Sequence, residues 1–376
     1  MDSVDSYVTR AEQLREVVAA LRQEALVAVD TEAASFHRYR DRICLVQLSS
    51  AAHAAIVDPL ALSDLAPLGE LLADRTVEKV FHDADYDLRT LDRDYGFHAT
   101  ALFDTRIAAQ LAGEPAVGLA ALLQKYVGVI LTKEHQRADW SQRPLPSAML
   151  EYAAADTRHL PALREGLRDR LRSMGRLGWA EEEFGLLESL RWTGASDGAD
   201  GYLRIKGART LTGRQLAALR ELHRWREELA ARQDRATFRI VDNEVLLAVS
   251  RALPQTAAAL AETRGVPPAH VRRYGADLVA GVQRALALPE DALPRIDRVP
   301  RRPKDPEFDA RVERLKAARN RLALELGLDA GVLCGRPTLE AVARARPNNR
   351  AGLAQIGELR RWQVEVLGDA LLAALG

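Results

Sequence analysis

The chain has 376 residues, a length that predicts two or three domains. Hydrophobic residues make up 47% of it and charged residues 28%, which is typical of a globular protein with a large core. The 53 basic and 53 acidic residues give a net charge of zero, so the total charge provides no attraction to nucleic acid or to a membrane. Any binding of a polyanion must therefore depend on local groups of basic residues.

The cysteines and the N-terminal residues indicate a reducing, cytoplasmic location. Cys44 and Cys334 are far apart and neither has metal-ligand spacing around it, so neither a disulfide framework nor a zinc site is predicted. Residues 1–5 include acids where a signal peptide has basic residues. No apolar run approaches the ~18 residues that a membrane-spanning helix needs. We predict a cytoplasmic protein that does not bind membranes.

Short apolar runs alternate with amphipathic segments along the first half of the chain. Helices are predicted at 85–95, at 103–111 with Asp104 as the N-cap, and also at 9–24 and 65–72. Short runs rich in valine, isoleucine and leucine predict strands at 26–29, 43–48, 54–58 and 78–82. Short links between the first strands favour antiparallel pairing. Together these segments predict an α/β domain with a mixed sheet.

Two carboxylates end the first of the apolar runs. Asp30 and Glu32 are two residues apart, so on a strand their side chains share one face. Two acids at the end of a buried strand repel each other unless a cation lies between them, and hard divalent cations prefer oxygen ligands. The alternative is a pair of solvated loop acids, because an Asp-x-Glu after an apolar run is common.

Further acids occur at two later positions. Asp83, Asp85 and Asp87 follow the strand at 78–82, and ligands of open α/β sheets collect just outside strand ends. The sequence pattern alone does not choose among these three. Tyr152 and Asp156 are four residues apart in a helical segment, so they share a face with only alanines between them. The alternative for that segment is a surface aspartate and a half-buried tyrosine.

The second half of the chain is helical and contains a repeat. Residues 194–201 are a Gly/Asp-rich linker, and residues 289–306 are a second, Pro-rich and basic one. An offset of 93 residues aligns five apolar or helix-breaking residues of the two helical regions, which predicts a duplicated domain. The aligned pairs are Leu246 with Leu339, Pro254 with Pro347, Leu260 with Leu353, Gly275 with Gly368, and Leu278 with Leu371.

Three of these segments resemble the motifs of the DEDD superfamily of 3′–5′ exonucleases, in the tyrosine-containing (DEDDy) branch that includes ribonuclease D. Three motifs in the expected order make the resemblance specific, and it selects Asp87 from the three aspartates. The matching residues are Asp30 and Glu32 in the first motif, His82, Asp87 and Leu88 in the second, and Tyr152 and Asp156 in the third.

Both helical regions resemble the helicase-and-ribonuclease-D C-terminal (HRDC) domain, a small nucleic-acid-binding fold. The resemblance implies a ribonuclease H-like α/β exonuclease domain with a mixed sheet at 1–195, followed by two all-α HRDC bundles at 208–288 and 305–376, the second divergent. The residues that carry the match are Trp225, Asp242 and Leu246 in the first copy, and Pro347, Leu353, Gly368 and Trp362 in the second.

The resemblance also implies an activity and a cofactor. The chain is expected to be a 3′–5′ exoribonuclease of ribonuclease D type that releases nucleoside 5′-monophosphates. Two divalent cations, Mg²⁺ or Mn²⁺ and roughly 3.5–4 Å apart, would activate water and stabilise the leaving oxygen, while Tyr152 orients that water. The expected cation ligands are Asp30, Glu32, Asp87 and Asp156.

The expected partner is RNA with a single-stranded 3′ end, with tRNA precursors as the favoured substrate and a monomer as the favoured state. Phe36 and Trp140 are candidates for base stacking, with core burial the equal alternative for each. The remaining predicted RNA contacts are His82, Lys133, Arg143, Arg272 and Arg273. Two alternative functions stay open: a DNA exonuclease of the same superfamily, and a catalytically silent HRDC binding protein.

Overall fold

The computed structural model describes residues 6–131, 134–135, 137–194, 200–296 and 305–376. Six strands form one sheet: β1 (Ser6–Val8), β2 (Leu26–Ala33), β3 (Ile43–Ser49), β4 (Ala54–Val57), β5 (Glu78–Phe81) and β6 (Leu102–Asp104). Their order is β1-β4-β3-β2-β5-β6. The pairs β2–β3 and β3–β4 are antiparallel, and the other three are parallel. The predicted mixed sheet is therefore confirmed.

The helices of the first half surround this sheet. They are α1 (Ala11–Leu21), α2 (Ala66–Ala73), α3 (Asp85–Tyr95), α4 (Thr105–Leu111), α5 (Leu119–Tyr126), α6 (Ser147–Arg158), α7 (Leu160–Ser173) and α8 (Leu177–Leu187). One predicted helix was too long: residues 103–111 begin as strand β6, and α4 starts only after Asp104. Asp104 is the N-cap as predicted, since its carboxylate accepts the backbone N–H groups of Arg106 and Ile107.

The predicted repeat is confirmed by the helices of the second half. The first copy contains α9 (Gly213–Gln233), α10 (Asn243–Ala252), α11 (Ala257–Ala261) and α12 (Pro268–Leu286). The second contains α13 (Pro306–Leu326), α14 (Ala330–Leu333), α15 (Arg336–Ala345), α16 (Arg350–Ala354) and α17 (Arg361–Leu375). Each of the helices α9, α10, α11 and α12 starts 93 residues before its counterpart. Even the left-handed residues that end α10 and α15, Leu253 and Arg346, keep this offset.

The chain divides into two compact units, which differ from the predicted three-domain division. The first unit consists of Met1–Ala33, Ile43–Trp192 and Pro303–Gly376, so the second helical copy shares a unit with the sheet. The second unit consists of Ala34–Arg42 and Thr193–Arg302. The boundaries at 1–195, 208–288 and 305–376 stay predictions. None of the described helices is both long enough and apolar enough to cross a membrane.

The centre of the first unit is the strand β3, whose residues are all buried. Its polar residues Gln47 and Ser49 are buried together with the apolar ones, and helices α3 and α6 pack against this strand. On β2, residues Val27 to Val29 are likewise buried, and the polar residues begin only at Asp30. Burial of this region fixes the strand that carries the first carboxylate pair.

A tryptophan pair joins the second helical copy to helix α8 inside the first unit. The rings of Trp179 and Trp362 stack with centroids 5.0 Å apart and planes 14° apart. Glu182 accepts the backbone N–H groups of Arg361 and Trp362 at the start of α17. Glu183 accepts the indole N–H of Trp362 at 2.8 Å. These contacts cap a helix and bury a large aromatic area at once.

We expect Trp362→Ala to lower the free energy of unfolding by about 3–5 kcal/mol, because the side chain is buried and its truncation leaves a cavity. Leu324→Ala is the control, since Leu324 is 84% exposed and should change stability little. Urea unfolding followed by tryptophan fluorescence and by circular dichroism measures both. An equal effect of the two substitutions would contradict the assigned role of the tryptophan pair.

Candidate active site

Asp30 and Glu32 occupy the last part of β2, between the strands β3 and β5. Asp30 pairs with Gln47 and Glu32 with Leu45 in the register of β3. Because they are two residues apart on an extended strand, both carboxylates leave the same face. The register shifts between Glu32 and Ala33, so regular pairing ends directly after the second acid.

Helix α6 supplies a third carboxylate to this pair. It packs against β2, β3 and β4, and the hydroxyls of Thr157 and Ser49 are 2.7 Å apart where it crosses the sheet. The buried alanines at 153 and 154 let the helix approach closely. As a result, Asp30, Glu32 and Asp156 each offer an oxygen atom within 4.8 Å of the others. Hard divalent cations bind to oxygen clusters of this kind.

Asp87, in the first turn of α3, is the fourth acid. It is buried, and the Thr31 hydroxyl donates a 2.5 Å hydrogen bond to its Oδ1. The other two candidates in that turn face solvent and are paired: Asp83 with Arg106, and Asp85 with Arg89. Of the three aspartates, Asp87 is therefore the one that lies beside the first pair of acids.

Burial has the largest effect on the pKa of each of the four acids, and repulsion among the carboxylates adds to it at three of them. Burial raises the pKa of Asp30 to about 6, and burial together with the Asp30 charge raises that of Asp156 to about 7. Burial followed by the neighbouring carboxylates raises the pKa of Glu32 and Asp87 well above their ordinary values. Four hard oxygen donors that repel one another suit a divalent cation. The cation would neutralise the negative charges of the carboxylates, which bound protons neutralise otherwise.

Tyr152 lies one turn before Asp156 on α6, beside the acids. Burial and the charges of Asp156 and Glu32 raise the pKa of its hydroxyl above the ordinary value of tyrosine. It therefore keeps its proton at neutral pH and can donate a hydrogen bond. Its ring stacks on Trp140, with centroids 6.1 Å apart, and meets His135 edge-on at 5.6 Å. These neighbours fix the direction of the hydroxyl.

Trp140 is 1% exposed, so the structure favours core burial over base stacking for this residue. Arg143, predicted to bind RNA, instead uses its guanidinium inside the protein. All five N–H groups donate to protein oxygens: two to Asp58 and three to the carbonyls of Cys44, Trp140 and Gln142. In this arrangement no N–H group of Arg143 remains for a phosphate, which argues against the predicted RNA contact.

His82 is also unsuited to bind a phosphate as a cation. Burial lowers the pKa of its imidazole to about 4, so the ring is neutral at physiological pH. The Thr105 hydroxyl donates to the carbonyl of Phe81 and lies 2.9 Å from Nδ1 of His82. Nδ1 is therefore the protonated nitrogen, and it donates to that hydroxyl. The histidine holds the turn between β5 and α3, which is a structural task.

The other predicted RNA contacts stay predictions. Arg272 and Arg273 are exposed on α12, with the Arg273 guanidinium 5.2 Å from the ring centre of Tyr274. Phe36 is 41% exposed and meets Phe238 edge-on in the second unit. Lys133 lies outside the described residues.

Two supporting residues were not predicted from the sequence. Thr31 holds Asp87, and its position between the two acids of the first motif was the available signal. Asp104 was predicted only as a helix cap, but its buried carboxylate also accepts the backbone N–H groups of Asp83 and Ala84. It therefore shapes the turn that leads to Asp87. That second task follows from contact between distant segments, so no local pattern shows it.

Comparison with known proteins matches both halves of the chain. The family model for a 3′–5′ exonuclease matches residues 6–172, and the model for the HRDC domain matches 215–282 and 308–375. Ribonuclease D of Granulibacter bethesdensis is 39% identical over 294 residues, which cover 77% of this chain and 74% of that protein. Ribonuclease D of Nitrobacter hamburgensis is 32% identical over 97% of this chain and 94% of its own length.

The chain belongs to the ribonuclease D family. The resemblance found in its motifs is thereby confirmed. Among solved structures, Escherichia coli RNase D superposes with a TM-score of 0.71 at 29% identity and covers 98% of both chains. A protein from Bifidobacterium adolescentis superposes with a TM-score of 0.82 at 26% identity. The ribonuclease D architecture, a mixed-sheet exonuclease domain with HRDC domains after it, is present in this chain.

We expect Asp30→Asn to raise the thermal stability of the metal-free protein. An acid whose pKa is higher folded than unfolded destabilises the fold once it is ionised, so the loss grows as pH rises from about 4 to about 6 and persists above it. Removing that charge should add about 1–3 kcal/mol at neutral pH. Melting curves in a chelator and in excess Mg²⁺ measure the effect.

In the same experiment Mg²⁺ should stabilise the unsubstituted ribonuclease D chain more than the variant, because cations relieve the repulsion among four charges more than among three. Asp85→Asn is the matched control, since Asp85 is exposed and paired with Arg89. An Asp30→Asn protein no more stable than the unsubstituted chain in chelator would refute the repulsion argument.

Proposed function

We propose that the four acids hold two divalent cations and hydrolyse the terminal phosphodiester at the 3′ end of RNA. The chain is a 3′–5′ exoribonuclease, the enzyme class predicted from its motifs. The observation that carries the proposal is the convergence of Asp30, Glu32 and Asp156 within 4.8 Å, with the buried Asp87 beside them. The product of each cycle is a nucleoside 5′-monophosphate.

The four acids lie on three separate secondary-structure elements. Because these elements are packed in the fold, the distances between the carboxylates are fixed. Asp30 and Glu32 lie on a central strand, Asp87 on α3 and Asp156 on α6. When bound, divalent cations supply a more acidic attacking water and neutralise the charge that develops on the phosphate. Each carboxylate then acts as an oxygen ligand. The hydrogen bond from Thr31 fixes the direction of one of them, Asp87.

Tyr152 positions the attacking water. Its hydroxyl keeps its proton because burial and the adjacent acids raise its pKa, so it donates a hydrogen bond and is not a general base. The stack with the buried Trp140 restricts the ring to one orientation. A small displacement of the water lowers the reaction rate strongly, so the stacked pair of Tyr152 and Trp140 contributes to kcat.

RNA with a single-stranded 3′ end is the proposed substrate, and stable RNA precursors such as those of tRNA are the proposed natural class. The RNase D of E. coli is described as an exoribonuclease involved in structured RNA processing, which supports this choice. HRDC domains in the second half support nucleic-acid binding. The choice between Mg²⁺ and Mn²⁺, the monomeric state and the cytoplasmic location stay predictions.

We expect Asp87→Asn and Asp156→Asn to abolish metal-dependent release of mononucleotides, because each removes a charged cation ligand. Asp85→Asn should retain activity, since that acid faces solvent and pairs with Arg89. Labelled single-stranded RNA with Mg²⁺ or Mn²⁺, resolved on a denaturing gel, measures release. Full activity of the Asp156→Asn variant would be inconsistent with the assigned ligands. So would loss of activity in Asp85→Asn when the two ligand variants remain active.

Tyr152→Phe should lower kcat by about 100-fold while KM changes little, because the water loses its positioning donor but the RNA contacts remain. Steady-state kinetics on the same RNA separate the two constants. A normal kcat for Tyr152→Phe would show that the hydroxyl does not position the water.

Parallel digestion of a tRNA precursor, an unstructured RNA and a DNA of matched sequence tests the substrate class. We expect both RNAs to be shortened from the 3′ end and the DNA to be degraded more slowly. Equal or faster degradation of DNA would favour the alternative function, a DNA exonuclease of the same superfamily.

A further inference from the structure

The loop Ala34–Arg42, which follows the metal-site strand in the chain, is bound to the first helical copy. The backbone N–H of Ala236 donates to the carbonyl of His37 at 3.2 Å. Asp234 accepts the backbone N–H of Tyr39 at 3.3 Å and pairs with Arg38 at 3.4 Å. The loop and the helices therefore form one compact unit.

A cavity of about 540 Å³ lies between this loop and the helices. Its volume is within the range of small-ligand sites, and a single nucleotide is of that size class. The loop contributes Arg38 and Tyr39 to the lining, and the helical part contributes Arg204, Arg226 and Phe238. Proteins that bind single-stranded nucleic acid do so mainly through cationic side chains, which contact the phosphates, and aromatic side chains, on which the bases stack.

Two exposed aromatic rings line this cavity, and a third contacts one of them. Tyr39 and Phe238 belong to the lining, and they are 36% and 48% exposed. Phe36, which is 41% exposed, meets Phe238 edge-on with ring centroids 5.3 Å apart. Exposed apolar groups that lie together mark a binding site.

The inner wall is positively charged. Burial, then the charges of Arg226 and Arg204, lowers the pKa of His223 to about 4. Arg226, in the same wall, donates from Nη1 to the carbonyl of Val241 and to Asn243, and from Nη2 to Glu227. Its buried Nε has no hydrogen-bond partner among the described residues, which is rare for a buried donor.

The lining also contains two acids. Glu227 interacts with the Tyr39 hydroxyl and with His223, and it pairs with Arg226. Asp41 is the second acid of the lining. Three arginines and two acids give the lining a net charge of +1.

The wider charge distribution points the same way. The second unit has 22 Lys and Arg against 14 Asp and Glu, a net charge of +8, so the rest of the neutral chain carries −8. Charge is segregated between the units, although the total is zero. A polyanion is therefore attracted to the second unit, which holds the cavity.

We propose that this cavity binds one nucleotide of a single-stranded RNA substrate, other than the 3′-terminal one. The base stacks on the exposed ring of Phe238 in the lining that also contains Tyr39, and a phosphate lies near Arg204. The inference rests on the proposed function in one respect, that RNA is the substrate. It assigns a subsite to residues that none of the three catalytic motifs contains.

The test is RNA binding by the full-length chain in an Asp30→Asn background, which leaves the RNA uncut. Anisotropy of a fluorescein-labelled single-stranded RNA of about 15 nucleotides gives Kd. We expect Phe238→Ala to raise Kd about tenfold, as loss of one stacked base does, and Phe238→Tyr to leave it unchanged. Leu324→Ala, another exposed apolar truncation, is the matched control.

The proposed contact between Arg204 and a phosphate is tested by the salt dependence of RNA binding in the same assay. Arg204→Ala should reduce the slope of log Kd against log salt by about one, because one phosphate contact is lost. Arg264→Ala, an exposed arginine of the same unit outside the cavity lining, should leave the slope unchanged.

Kinetics in the active chain separate this inference from the proposed function. Phe238→Ala should raise KM about tenfold for the long RNA and leave cleavage of a dinucleotide unchanged, since a dinucleotide does not fill the subsite. Equal Kd values for Phe238→Ala and its parent would overturn the subsite, as would equal losses in Phe238→Ala and Phe238→Tyr. If the unsubstituted chain cleaves neither substrate, the proposed function fails, while a Kd that depends on Phe238 would still support the cavity.

Discussion

Repulsion among four carboxylates is the constraint on which the functional part of this protein depends. Burial raises the pKa of Asp30, Glu32, Asp87 and Asp156, and neighbouring carboxylates raise the pKa of the last three further, so the fold concentrates charge that it could otherwise have dispersed. Such an arrangement persists only where the surrounding structure is stable enough to hold it. The fully buried strand β3, beside β2, supplies that rigidity. Cations bound at the oxygen cluster, as we propose, would offset this cost in stability.

The two helical copies have the same helix pattern but different surroundings. The second copy lies in the same compact unit as the exonuclease sheet, joined by the Trp179–Trp362 stack and by the acids of α8. The first copy instead binds the loop Ala34–Arg42 and belongs to a unit with a net charge of +8. The two copies of the duplicated domain therefore differ in role. The second copy packs against the exonuclease part of the chain, and the first copy belongs to the positively charged unit.

Several residues predicted to contact RNA make contacts inside the protein instead, for a common reason. Arg143 and Trp140 precede the third motif in the chain, and we predicted that they contact the substrate because one is basic and the other aromatic. The fold instead saturates the guanidinium with five protein oxygens and stacks the indole beneath Tyr152. Residue type indicates which contacts a side chain can make, whereas the neighbours decide which it does make. His82 shows the same effect, because burial removes the charge that a phosphate would need.

The sequence by itself determined the sheet class and the 93-residue duplication, because both depend on local periodicity, and the resemblance of its short motifs selected the four acids as the predicted cation ligands. Only the tertiary structure decided which side chains are free to meet RNA, because the same arginine or aromatic ring can serve the core or the solvent. It also joined Ala34–Arg42 to helices nearly 200 residues away in the chain, through Asp234 and Ala236. Contacts at that separation depend on how the backbone folds back on itself, and no local pattern of residues encodes them.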